Sequence, residues 1–152
     1  MNYEIVFLEE KMVVGLGART NNTAPDMGAV IGGLWGRFYQ DGIYAAIEDK
    51  QNDKTLGIYT DYAGDEKDDY SIVVACEVNQ ANNNPTGTVT RTIPAGKYAK
   101  FILTGDMHKV VSDFWIQLWS MELPRAFTCD FEEYQNSDME NAKIHIYISL
   151  KD

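Results

Sequence analysis

The stretch VIGGLWGRFYQ, residues 30–40, has a counterpart in the second half of the chain, VVSDFWIQLWS, residues 110–120. In both stretches the apolar side chains recur three and four residues apart, which is the spacing of one face of an amphipathic helix. Aligning the two stretches places Trp35 with Trp115. The pairing predicts two related helices and indicates that the chain is internally duplicated.

The segments around the two helices follow the same order in both halves. Valine-rich and alternating segments bounded by turn-forming residues are typical of strands. The predicted elements are strands over 3–7 and 11–18, a helix over 26–40, strands over 56–62 and 70–78, an extended segment over 90–105, a helix over 106–121, and strands over 128–135 and 143–150.

This order predicts the α+β class, with two pseudo-symmetric strand-helix-strand-strand modules packed side by side. We expect one domain over residues 1–152, with pseudo-repeats at about 1–80 and 88–152. The turn-rich run QANNNPTG indicates a linker at about 79–88. An antiparallel sheet would join the modules and leave a central groove between them, a common position for a ligand.

Charge and composition narrow the function classes. The chain has 13 Lys and Arg against 23 Asp and Glu, a net charge of −10. This field repels phosphate backbones, and no basic cluster is present, so direct nucleic-acid binding is not expected. The N-terminus lacks the features of a signal peptide, and no run of about 18 apolar residues indicates a membrane helix. We therefore expect a cytoplasmic protein that makes no membrane contact.

Residues suited to metal or cofactor chemistry are sparse. Cys76 and Cys129 lie in separate strand-like segments without metal-ligand spacing, and His108 and His145 have no ligand-forming neighbours at that spacing. No phosphate-binding or dinucleotide-binding glycine motif occurs. No cofactor and no metal site are expected.

Six short motifs carry a resemblance to a known family. They are LWGRF (34–38), IYTDY (58–62), IPAGKYAKF (93–101), IQLW (116–119), DFEEY (130–134) and IHIYISLK (144–151). In this order, over about residues 1–151, they resemble the GyrI-like effector-binding domain. That domain also forms the ligand-sensing part of some AraC-type and MerR-type multidrug-responsive regulators. No helix-turn-helix segment accompanies it here, so a stand-alone form is expected.

The DFEEY motif holds the main candidate for ligand contact. The resemblance implies that a glutamate at the position of Glu132 meets lipophilic cations, and that a pocket tyrosine falls on Tyr147. Strand alternation places Asp130, Glu132 and Tyr134 on one face. Glu133 points the other way, where we expect a surface or edge carboxylate. An unpaired carboxylate shielded in the groove would acquire a cation or a raised pKa.

The last strand is expected to present two unlike faces. Its isoleucines at 144, 146 and 148 form an apolar face that should pack on the helices, while Tyr147 lies opposite. We expect Tyr147 to share the groove with Glu132. Further expected lining residues are Trp35, Trp115, Trp119, Tyr39, Tyr59 and Tyr98.

Three functions remain open at this stage. The first is a binding protein for a lipophilic, cationic small molecule, linked to transcription regulation or toxin resistance. The second is a hydrolase of strained cyclopropane-containing toxins, as reported for some stand-alone relatives, in which Glu132 and Tyr147 would be catalytic. The third is a protein-interaction or inhibitor module that uses its acidic charge to engage a protein partner. The oligomeric state is left open.

Overall fold

The computed structural model describes residues 1–65, 67–81 and 84–152. Its strands are β1 (Glu4–Leu8), β2 (Lys11–Thr20), β3 (Thr55–Thr60), β4 (Tyr70–Val78), β5 (Val89–Ile93), β6 (Gly96–Gly105), β7 (Cys129–Tyr134) and β8 (Ala142–Ser149). Its helices are α1 (Met27–Gln40), the short α2 (Ile43–Ala46) and α3 (Met107–Trp119). None of the helices in these described ranges has the length and apolarity needed to cross a membrane.

The predicted duplication is present in the topology. The first module is β2-α1-β3-β4 and the second is β6-α3-β7-β8. All strands join one antiparallel sheet in the order β1-β6-β8-β7-β3-β4-β2-β5. The modules meet where β3 pairs with β7. The expected α+β architecture is therefore confirmed.

Several details differ from the expectation. The extended segment over 90–105 forms two strands, because Pro94 and Ala95 separate β5 from β6. Proline lacks the N–H that a continuous strand would donate. Helix α2 was not predicted. The expected linker at 79–88 includes residues 82 and 83, which lie outside the described residues.

The leading strand of each half pairs with the other half. Strand β1 pairs with β6, and β5 pairs with β2. Only Glu9 and Glu10 connect β1 to β2, although six strand spacings separate them in the sheet order. A flat sheet would place the two strands about 29 Å apart, whereas three Cα steps reach about 11 Å. The sheet must therefore curl until its edges approach each other.

The curled sheet has two faces with separate hydrophobic cores. The concave inner face is filled by side chains from all parts of the sheet, including Val13, Ile58 and Phe131. On the opposite face, here called the helix face, α1 covers the first module and α3 covers the second. The isoleucines of β8 pack against α3, as predicted. Each helix covers its own module, so a groove remains between them over β3 and β7.

Gly15 in the middle of β2 provides a test of this strand packing. It lies between Ala75 of β4 and Val89 of β5. A Cβ added at Gly15 would overlap the carbonyl oxygen of Val74 and lie 2.6 Å from the Cα of Ala75. We predict that Gly15→Ala lowers the free energy of unfolding by about 2–3 kcal/mol, because the β2–β4 ladder must separate.

The measurement is urea denaturation followed by circular dichroism. Gly17→Ala is the matched control, since a Cβ there would meet no atom closer than 3.6 Å. We expect this control to be as stable as the wild type. Equal stability of both variants would contradict the packing described here.

Candidate functional site

The groove between α1 and α3 is a cavity of about 1000 Å³. Strands β3 and β7 form its floor, and the two helices form its walls. Aromatic side chains dominate its lining, namely Trp35, Tyr39, Tyr59, Tyr62, Tyr70, Trp115, Trp119 and Tyr134. Such a lining suits a large apolar ligand.

One carboxylate lies on the floor of this groove. Glu132 is only 2% exposed, and its oxygens accept three hydrogen bonds. The Tyr59 hydroxyl and the Trp115 indole Nε1 each donate to Oε2 at 2.9 Å. The Tyr134 hydroxyl donates to Oε1 at 2.7 Å. None of the ion pairs found among the described residues includes Glu132. The carboxylate is thus stabilised by neutral donors alone.

A glycine on the neighbouring strand makes room for this carboxylate. Gly57 of β3 pairs with Glu132 of β7. A Cβ at Gly57 would lie 3.2 Å from Glu132 Oε1 and 3.4 Å from Cζ2 of Trp35. The absent side chain therefore lets the carboxylate and the indole of α1 meet over the floor of the groove.

Burial changes the titration of the groups around Glu132. Desolvation raises the pKa of Glu132 above its usual value, while the hydrogen bonds from Tyr134, Trp115 and Tyr59 act to lower it. Burial also raises the pKa of Tyr59 and of Tyr134, and the adjacent carboxylate raises both further. Both hydroxyls consequently stay protonated and remain donors at neutral pH.

The aromatic walls support one another. The Trp35 ring stacks on Tyr39 with centroids 6.3 Å apart and meets Tyr134 edge-on at 5.3 Å. Trp115 meets Tyr59 edge-on at 5.0 Å. Edge and stacked contacts at these distances are favourable ring geometries. The walls therefore present ordered ring surfaces to the space above Glu132.

A second buried carboxylate, Asp130, lies two residues away on the same strand face. It is fully buried and forms an ion pair with Arg125, whose Nη2 lies 2.8 Å from its Oδ2. The Tyr62 hydroxyl donates to Oδ2 at 2.6 Å, and the backbone N–H and hydroxyl of Ser149 donate to Oδ1. The charge of Asp130 is neutralised, so Glu132 supplies the net charge on the groove floor.

The sequence and the fold of this chain both match known proteins. Residues 4–150 match the family model described as Cass2, integron-associated effector binding protein. The chain belongs to this family. Its resemblance to the GyrI-like effector-binding domain is thereby confirmed. A comparison with curated proteins gave no match.

Several solved structures share this fold. The Vibrio cholerae integron cassette protein VCH_CASS2 has 29% identity and a TM-score of 0.79, covering 98% of this chain and 95% of its own. SAV2435, in a structure bound to tetraphenylphosphonium, has 22% identity and a TM-score of 0.81, with coverage of 99% and 94%. The EcmrR C-terminal domain has 16% identity and a TM-score of 0.63, with coverage of 100% and 99%. The last two similarities concern the fold.

Most of the residues that the sequence predicts for ligand contact lie together in the groove. The groove is lined by Glu132, Trp35, Trp115, Trp119, Tyr39 and Tyr59. Tyr39 and Trp119 are about half exposed at its mouth. One carboxylate and two aromatic walls therefore converge on a single cavity.

Two expected groove residues, Tyr147 and Tyr98, lie on the inner face instead. The register of β7 and β8 pairs Glu132 with Ile146 and Phe131 with Tyr147. Tyr147 consequently stacks on Phe131, with centroids 4.7 Å apart, and Tyr98 packs in the same core. The expectation that Tyr147 shares the groove is corrected, because alternation fixes faces within a strand but leaves the register between strands open.

Glu133 also differs from its expected surface position. It is mostly buried on the inner face, 3.9 Å from Lys54 and within 2.8 Å of the Gln135 amide nitrogen that donates to it. The positive charge of Lys54 and the hydrogen bond from Gln135 compensate for the burial of the Glu133 carboxylate. Glu132 and Glu133 are thus adjacent in the sequence, but their side chains lie on opposite faces of the sheet and have different surroundings.

Several residues that line the groove are not among those predicted from the sequence. Tyr134 was placed on the face of Glu132 by alternation and could have been selected from that signal. Tyr62 and Tyr70 lie on either side of the β3–β4 turn and converge only in the folded structure. Arg125 follows α3 in a segment without periodicity, and nothing in the sequence pattern indicated it.

Removing one donor tests how Glu132 is held. We predict that Tyr134→Phe raises the pKa of Glu132 further, because the lost hydrogen bond favours the charged form. The pKa is read from the ¹³C shift of the Glu132 carboxyl group during a pH titration. Tyr39→Phe is the control, since Tyr39 lines the groove without bonding Glu132. An unchanged or lowered pKa in Tyr134→Phe would refute the assigned role.

Proposed function

We propose that this protein binds lipophilic organic cations in the groove, with the positive charge facing Glu132. The observation that carries the proposal is the buried carboxylate of Glu132, which is surrounded by aromatic rings and has no ion-pair partner in residues 1–65, 67–81 and 84–152. A buried charge without an opposite charge is costly in a protein interior. A cation entering the groove would remove that cost.

The physical chemistry of the site favours an organic cation over a small inorganic one. A small ion would have to exchange its hydration shell for one carboxylate, whereas a lipophilic cation is weakly hydrated and brings apolar surface. Two unit charges 4 Å apart attract by about 4 kcal/mol at an effective dielectric constant of about 20. Each ring face adds about 0.5–2 kcal/mol of cation–π attraction. Trp35, Trp115 and Tyr59 line the groove together with Glu132 and can supply such rings.

The comparisons support this proposal. SAV2435 is a protein of the same fold described with tetraphenylphosphonium bound. The family is named for effector binding. By analogy, we propose that the chain senses or retains toxic organic cations and serves transcription regulation or toxin resistance in that way.

The hydrolase alternative is disfavoured by the positions of its two expected catalytic residues. It required Glu132 and Tyr147 to act on one substrate, yet they lie on opposite faces of the sheet. No observation on the described residues favours the protein-interaction alternative over ligand binding.

Glu132→Gln tests the charge partner directly. We predict that this variant binds tetraphenylphosphonium about 10- to 100-fold more weakly, because the Coulomb attraction is lost while the size of the side chain is kept. Affinity is measured by quenching of tryptophan fluorescence and by calorimetry at neutral pH. Thermal unfolding of the ligand-free variant should show no loss of stability, since a buried charge has been removed.

The control is Glu133→Gln, which neutralises the adjacent acid on the inner face. We expect its affinity for tetraphenylphosphonium to stay within about two-fold of the wild type, as the lost charge is outside the groove. Equal affinity of Glu132→Gln and wild type would refute the proposal. Equal losses in both variants would point to overall charge instead of a site.

The pH dependence of binding gives an independent prediction. The pKa of Glu132 is raised above its usual 4.5, so the carboxyl group takes up a proton at a higher pH than an ordinary carboxyl. Cation affinity should be full above the raised pKa and fall as the pH drops through it. Binding in that range should release protons, since the cation favours the ionised form.

Calorimetry in buffers of different ionisation enthalpy measures this release. Glu132→Gln should bind weakly at every pH and release no proton. Wild-type affinity that stays constant down to pH 4.5 would contradict the assigned titration.

A further inference from the structure

Arg125 at one end of the groove has hydrogen-bond donors that find no acceptor among the residues that the structure describes. A guanidinium group carries five N–H donors. Within the described part of the chain, the side chain of Arg125 forms one hydrogen bond, from Nη2 to Asp130 Oδ2. Its Nε is buried without an acceptor anywhere in residues 1–65, 67–81 and 84–152. The residue is 8% exposed and lines the groove. Buried donors nearly always have partners, so these spare donors call for an acceptor.

The surroundings of Arg125 hold the guanidinium in place. The Phe127 ring lies 4.2 Å from its Cζ, and Phe127 adopts a positive φ of 53°, which turns the chain there. The backbone of Arg125 forms a bridge to Leu150. Asp130 already accepts from Tyr62 and Ser149 besides Arg125. The carboxylate of Asp130 is therefore occupied and cannot satisfy the remaining donors.

We propose that Arg125 forms a second subsite of the groove, which accepts a neutral hydrogen-bond acceptor such as an ester or ketone oxygen. The proposal rests on the proposed function, since it assumes that the cationic part of the ligand lies at Glu132. Preferred ligands would carry a lipophilic cation at one end and a carbonyl oxygen at the other.

Electrostatics favours a neutral acceptor over an anion. The charge of Arg125 is balanced by Asp130 at 2.8 Å, and Glu132 adds a further negative charge to the groove. An anionic group would be repelled by Glu132 without a net positive charge to attract it. A carbonyl oxygen needs only the spare N–H donors.

The spacing sets the length of the ligand. Asp130 and Glu132 are two residues apart on β7, so their Cα atoms lie about 7 Å apart. Since Nη2 of Arg125 lies 2.8 Å from Asp130, we expect a chain of about that length to connect the cation at Glu132 with an acceptor oxygen at Arg125. A butyl chain between a phosphonium and a carbonyl carbon has this reach.

Three phosphonium salts with the same cationic head test the subsite. They are pentyltriphenylphosphonium, the analogue whose chain ends in a methyl ester after a butyl spacer, and the analogue whose butyl chain ends in a carboxylate. We expect the wild type to bind the ester about five-fold more tightly than the pentyl compound, which is the net yield of one typical protein hydrogen bond. The carboxylate should bind more weakly than the ester.

The double variant Arg125→Met with Asp130→Asn removes the donors without leaving a buried carboxylate unpaired. It should bind the ester and the pentyl compound equally. Ser149→Ala is the control, because it removes one donor to Asp130 outside the groove and leaves Arg125 in place. It should keep the five-fold preference. Glu132→Gln should weaken all three ligands and keep the preference as well.

The outcomes separate this inference from the proposed function. If none of the three salts binds, the proposed function fails and the subsite with it. If all three bind the wild type equally, the subsite is refuted and the cation site stands. Tighter binding of the carboxylate would refute the neutral-acceptor assignment. The wild-type comparison decides these points even if the double variant does not fold.

Discussion

The carboxylate of Glu132 is buried on the floor of the groove, where it accepts hydrogen bonds from three neutral donors. The groove is arranged around these three hydrogen bonds. The donors come from both modules: Tyr59 from β3, and Trp115 and Tyr134 from the second half. Each donor also forms part of an aromatic wall or of the floor. The contact therefore joins the two halves of the duplicated fold at their central strand pair. The contact is also asymmetric, because its carboxylate comes from the second module and Gly57 of β3 lies opposite it.

Two acids on one face of β7 show why Glu132 stands out. Asp130 is paired with Arg125 and bonded by Tyr62 and Ser149, so its burial is compensated within the chain. Glu132 is equally buried but has no positive partner among the residues that the structure describes. A protein that keeps such a charge gives up some stability, and a ligand that supplies the missing cation would restore it by mass action. Under the proposed function, the charge of Glu132 on one strand of the aromatic groove provides the position for a cation.

The sequence predicted what depends on local periodicity. The helical repeat located α1 and α3, the duplication gave the module order, and alternation placed Glu132 and Tyr134 on one face. Features that depend on contacts between distant segments could not be predicted from the sequence pattern. The β7–β8 register moved Tyr147 to the inner face, since pairing between strands is set by packing and not by either strand alone. Arg125 lies in an irregular segment, and its contact with Asp130 arises only when that segment folds back over the groove.

A crystal structure of the protein with tetraphenylphosphonium would show whether the cation lies against Glu132. We expect the phosphorus in the groove between α1 and α3, within about 4–6 Å of the Glu132 carboxylate, with phenyl groups against Trp35 and Trp115. A cation bound outside the groove, or bound inside it far from that carboxylate, would show that Glu132 is not its charge partner.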